Sequence, residues 1–136
     1  MAKIGKLLLV GLVVVLVVLG LGYAWGASGR GTLQAALTDA QQRLDVAEAR
    51  GHILDARVSL YNVNFGDASR RFEEAKDPLR RIRQRLADAG NTDAVRSISA
   101  GLEHLEEAQR LAGKLDAAAN TKAGEALEAI KVATAE

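Results

Sequence analysis

Residues 32–65 read TLQAALTDAQQRLDVAEARGHILDARVSLYNVNF. Their apolar and small positions step by four and three: Leu33, Leu37, Ala40, Leu44, Ala47, Gly51, Leu54, Val58, Tyr61 and Phe65. Such sustained spacing is the mark of a helix with one sticky seam. Asp39, Gln41, Gln42, Arg43, Asp45, Glu48, Arg50, Asp55 and Arg57 fall on the other faces. Gly51 lands on the seam and leaves a weak, close-approach point there. The spacing predicts a helix over 32–65. Leu33, Leu37, Leu44, Leu54, Val58, Tyr61 and Phe65 would form its interaction seam, packed on later helices or on a second copy of the chain.

Upstream of this helix, Leu7 to Gly29 (LLLVGLVVVLVVLGLGYAWGASG) contain no charge. As a helix rising 1.5 Å per residue, such a run can cross a hydrocarbon core about 30 Å thick. Lys3 and Lys6 precede it, and Arg30 is the only charge close behind. Positive residues are retained on the cytoplasmic side, so the N-terminus is expected inside and residues 30–136 outside. The expected location is the inner or cytoplasmic membrane, with a periplasmic or extracellular C-terminal domain. Tyr23 and Trp25 would sit at the far headgroup zone. A cleaved secretory signal is the alternative, because Ala24 and Gly26 place small residues where a peptidase would cut after Gly26. The run is longer than the roughly 7–15 residues of a signal core, which favours an uncleaved signal-anchor. Gly22 and Gly26 form a G-x-x-x-G that can bring membrane helices close, although glycine is common in such helices anyway. Gly26, Gly29 and Gly31 mark a joint between the two helical stretches.

Composition narrows the class of the exported part. With Lys3 and Lys6 set aside it carries 16 of the 18 basic residues against all 17 acidic ones, a near-neutral balance with no pull toward nucleic acid. Cysteine is absent, which excludes disulfides, thiolate metal sites and cysteine nucleophiles. Ala, Leu, Arg, Glu and Gln dominate, and all favour helix. The predicted fold is all-α: a single transmembrane helix followed by a bundle or hairpin array of about four helices, near 32–65, 67–89, 92–117 and 121–134.

The punctuation places those boundaries. Gly66 suits a left-handed helix stop and Asp67 a following N-cap. Ala68, Phe72, Ala75, Leu79, Ile82, Leu86 and Ala89 make a second stripe, with a kink or break expected at Asp77-Pro78. Gly90 ends it, and Asn91, Thr92 or Asp93 starts the next helix. Val95, Ile98, Leu102, Leu105, Ala108 and Ala112 share one face of the third helix, which Gly113 or the Ala117–Asn120 stretch would end, and Ala123, Leu127 and Ile130 turn inward on the fourth.

Residues 50–78 resemble a tetratricopeptide-type helical hairpin. Ala68, Phe72 and Ala75 match the small-aromatic-small spacing of that family's second helix, Phe65 matches the preceding aromatic, and Pro78 follows closely. Ala126, Ile130 and Ala133 repeat the spacing with an aliphatic in the middle. The next triplet lies 58 residues on (126 minus 68) rather than about 34, and the first helix lacks the family's Trp and Leu-Gly positions. The resemblance implies a hairpin scaffold that binds protein segments.

Chemistry is sparse. His52 and His104 belong to different predicted helices and to no ligand pair at helical spacing, although Glu107 follows His104 by three. No serine sits in a nucleophile elbow, and no glycine-rich loop follows a strand. No enzyme, metal or cofactor is expected. Arg80, Arg81, Arg83 and Arg85 form the one distinctive charge feature. They could face an anionic partner, or acids of a neighbouring helix, since residues 91–136 carry five basic and eight acidic residues. No aromatics interleave, so nucleic acid is not expected. The sequence therefore predicts a membrane-anchored scaffold with a protein partner or a second copy. The alternatives are a secreted helical binding protein and a coiled-coil component of the envelope or division type.

Overall fold

The computed structural model describes the backbone of residues 2–135 and the side chains of residues 12–19 and 31–135. Among the described residues every regular element is a helix: α1 (Ala2–Tyr61), α2 (Phe65–Asp88), α3 (Thr92–Ala112) and α4 (Ala119–Thr134). The chain forms two units, Met1–Ala40 and Gln41–Glu136.

In the first unit the described apolar side chains are open. Leu12 through Leu19 are each between 49% and 64% exposed, and Leu33 and Leu37 are also exposed. Among the described residues no helix is long and apolar enough to cross a membrane. The expected crossing at Leu7–Gly29 lies largely outside the described side chains, as do Tyr23, Trp25 and the Gly22–Gly26 contact.

The second unit is a helical bundle in which α2 packs on α3 and α3 on α4. Phe72, Ile53, Leu79, Ile82, Ile98, Leu105 and Ile130 are its largest fully buried apolar side chains. Ala49, Ala56, Ala68, Ala75, Ala108, Ala112, Ala119, Ala123 and Ala126 fill the space between them. So many small residues let helix axes approach closely, and the core is made by contact density rather than by bulk. The stripes expected on α2, α3 and α4 are the buried faces of those helices, except that Ala89 is exposed and Val95 and Leu127 are half-buried.

Four expectations need correction. The first helix stops at Tyr61, not near 65, and the left-handed residue is Val63 (φ 58), not Gly66. Asn64 decides this: its side chain accepts from the backbone N–H of Asp67 (3.2 Å), so α2 begins at Phe65 and Gly66 lies in its first turn. The third helix ends at Ala112 rather than 117, at the Gly113 stop and not in the Ala117–Asn120 stretch. Leu115 (φ 59) turns the chain there, and Asp116 accepts from the N–H of Ala118 (2.8 Å) as α4 approaches. Pro78 does not break α2, which runs through it to Asp88; the ring is fully buried, and its packing offsets the lost backbone hydrogen bond. Finally, the 4-3 seam of residues 33–61 is not the face that enters the core. Gly90 (φ +74) and the Asn91 cap on Ala94 behave as expected.

Candidate functional site

The part of α1 within the second unit, Gln41–Tyr61, carries two apolar faces. Ala49, Ile53, Ala56 and Leu60 are buried against the bundle, with Val46 half-buried beside them. Leu44, Leu54, Val58 and Tyr61 are 67%, 50%, 59% and 74% exposed, and Ala47 and Gly51 between them are exposed as well. At 100° per residue, the two sets lie on opposite sides of the helix. Phe65 leaves the seam altogether: it opens α2 and packs at the core's edge.

Polar contacts explain why the more strongly apolar stripe is the one left outside. Asp45, buried on the inner face, accepts from Arg81 Nε (3.0 Å) and Nη2 (2.7 Å) and from Arg85 Nη2 on α2. Burial alone would raise the Asp45 carboxyl, but the hydrogen bonds and charges of the two arginines outweigh it and hold the group below the usual carboxylate range. Ser59 Oγ donates to Asp67 Oδ2 at 2.6 Å; this bond and Arg70 lower the Asp67 carboxyl. His52 Nδ1 lies 3.3 Å from Glu74 Oε2, and Arg57 Nε donates to Asn120 Oδ1 on α4 at 2.7 Å. Rotating α1 to bury its leucines would turn Asp45 toward solvent, break each of these contacts and leave the half-buried Arg85 guanidinium without its carboxylate.

The basic cluster is largely occupied within the fold. Arg81 bridges Asp45 and Glu48 (2.9 Å), Arg85 pairs with Asp45, and Arg80 pairs with Asp77 one turn earlier (2.9 Å). Arg83 alone of the four is exposed with no ion pair among the described residues. The acids that balance the run come mainly from α1 and from α2 itself.

Ala68, Phe72 and Ala75 are fully buried on α2. They sit in the core and present no binding surface. Lys76, also buried, donates to Glu73 (2.8 Å) and to Gln109 on α3 (2.5 Å), which ties α2 to α3 and lowers the Glu73 carboxyl. His104 turns to Glu125 on α4 (3.1 Å) rather than to Glu107, which binds Arg110. Among the described residues no group of three or more potential ligands could hold a metal ion.

By its place off the seam, Asp45 falls among the positions expected to be solvated. A signal existed: Asp45, Ala49, Ile53, Ala56 and Leu60 are themselves spaced by four, four, three and four. That second stripe is masked by the larger side chains of the first.

Comparison with protein-family models, with curated proteins and with solved structures gives no match for the chain.

Proposed function

We propose that this chain is a single-pass, membrane-anchored scaffold or interaction protein. Its N-terminus lies inside, and its helical domain is exported and presents the outward face of α1 to a protein partner. The observation that carries the proposal is the exposure of Leu44, Leu54, Val58 and Tyr61 on a helix whose opposite face is already packed. A contiguous apolar stripe left open on a folded domain marks an interaction surface.

The anchor rests on the uncharged run Leu7–Gly29 and on Lys3 and Lys6 before it. Leu12 through Leu19 add support. These eight consecutive apolar residues cover every side of a helix and are all exposed within the chain, so they call for an apolar surround. The occupied arginines weigh against a surface for anionic partners. The tetratricopeptide-type hairpin enters as a scaffold only, since its matching residues are core. The open apolar face of α1, with no assembled acid–base or ligand set among the described residues, favours binding over catalysis.

The test is fractionation and labelling of the full-length chain in cells. It is expected to stay with membranes through alkaline carbonate. An Ala135→Cys variant, whose cysteine is the only one in the chain, is expected to react with a membrane-impermeant maleimide from outside. A mature chain beginning at Ala27, or one released by carbonate, overturns the anchor.

A further inference from the structure

We infer that the occupant of the outward face of α1 is a second copy of this chain, paired parallel and in register. The inference rests on the anchored reading above, since two copies fixed in one membrane with the same orientation can meet only side by side.

The 4-3 spacing assigns heptad positions. Leu37, Leu44, Gly51 and Val58 take position a, and Leu33, Ala40, Ala47, Leu54 and Tyr61 take position d. The residues that enter the bundle, Asp45, Ala49, Ile53, Ala56 and Leu60, then occupy b, f, c, f and c, the side of a coiled-coil helix that a partner helix never touches. Bundle and second copy therefore do not compete for the same face.

The flanking charges choose partner and direction. Arg43, Arg50 and Arg57 occupy the g positions; Glu48 and Asp55 occupy e positions. In a parallel pair each g residue faces the e residue five places on in the other chain. Arg50 then meets Asp55 of the second copy, twice by symmetry, while the Glu48 that Arg43 would face is already held by Arg81 within the fold. An antiparallel pair sets g against g and e against e, which brings arginine to arginine and acid to acid. Arg50 and Asp55 are both exposed and, among the described residues, neither is used in an ion pair of the fold. Self-complementary charge along a self-complementary apolar stripe is what a homotypic interface requires.

The seam is also built to be weak. Ala40, Ala47 and Gly51 contribute little buried area, and nothing lies within 4 Å of where a Gly51 Cβ would stand. Pairing would therefore depend on the membrane, where tethering raises the effective concentration of the second copy.

The experiment uses the full-length chain in native membranes, with single cysteines at Leu44→Cys, Val58→Cys and, as a control on α2, Arg83→Cys. Mild oxidation is expected to give disulfide-linked dimers at the first two positions and not at the third. Arg50→Glu is expected to lower the Val58→Cys cross-link about fivefold or more by replacing attraction with repulsion at two symmetric sites. Adding Asp55→Arg in the same chain should restore it to within about twofold, because the reversed charges again complement each other. A heterologous protein partner would not be recovered by that swap. Absence of cross-links at both seam positions in membrane-bound chain overturns the homotypic interface while leaving the anchor standing. Preferential linking of Leu44→Cys to Val58→Cys in a mixed sample overturns the parallel arrangement. A chain found in the soluble fraction fails the anchored reading itself.

Discussion

Helices α1 and α3 both carry an apolar stripe at helical spacing, and the bundle treats them in opposite ways. On α3 the stripe Ile98, Leu102, Leu105, Ala108 and Ala112 is buried. On α1 the stripe Leu44, Leu54, Val58 and Tyr61 is open, while the smaller set Ala49, Ile53, Ala56 and Leu60 is buried on the side of the helix that carries Asp45. The difference lies in what each helix must satisfy. α3 has one apolar face and the bundle takes it. α1 has two, and the choice between them falls to polar partners: only one rotation brings Asp45 to Arg81 and Arg85, Ser59 to Asp67 and Arg57 to Asn120. The other rotation would cost the half-buried Arg85 its counter-charge and break these long-range bonds, whereas an exposed leucine is a modest loss that a partner can recover.

The largest expected effects contrast neighbours on α1. Ile53→Ala removes a fully buried side chain and should destabilise the bundle by about 2–4 kcal/mol. Leu54→Ala, next to it on the open side, should stay within about 0.5 kcal/mol. Chemical denaturation of the purified chain in detergent checks both, and equal losses would erase the distinction between the faces.

Asp45→Asn comes next, at about 1–3 kcal/mol, because it leaves Arg85 half-buried without its counter-charge. The effect is pH-dependent. The folded-state pKa of Asp45 is held below the ordinary carboxylate value, so its stabilisation is present above that ordinary value and lost as pH falls through the lower folded-state value. The wild-type stability curve should therefore fall more steeply on acidification than that of Asp45→Asn. Parallel acid limbs would mean that Asp45 is not the inner-face anchor.

A smaller change runs in the stabilising direction. Gly51 is mid-helix with open space around it, so Gly51→Ala should add about 0.5–1 kcal/mol from helix propensity. A destabilising result would place a neighbour against the outward face. Least affected should be Arg83→Gln, within about 0.5 kcal/mol of wild type, in contrast to its paired neighbours Arg81 and Arg85. Thermal unfolding of these variants ranks them.

Much of the fold is legible in the chain. Strong helix formers, the absence of strand patterns and the Gly90-Asn91 punctuation mark the class and one turn correctly. The inner faces of α2, α3 and α4 follow from periodicity because each of those helices has a single stripe. Boundaries fail where side-chain capping overrides the glycine rule: Asn64 sets the start of α2, and a β-branched Val63 accepts the left-handed turn. The proline rule fails at Pro78 because burial compensates a local cost that periodicity cannot weigh. Spacing places Leu44, Leu54, Val58 and Tyr61 on one face of α1 but wrongly adds Phe65, and it does not reveal their exposure, since a 4-3 stripe looks the same whether it meets its own bundle or another chain. What settles the matter is a long-range pairing, Asp45 with residues some 40 positions away, invisible to any local pattern.

The central claim is that α1 separates folding from assembly by face. It is tested most directly by a double variant, Leu54→Gln with Val58→Gln, placed in the full-length Leu44→Cys chain and measured twice. The unfolding midpoint should match that of Leu44→Cys alone, to within about 0.5 kcal/mol of stability, while the disulfide-linked dimer in membranes disappears. A loss of stability as large as that of Ile53→Ala, or a dimer that survives both glutamines, would contradict it.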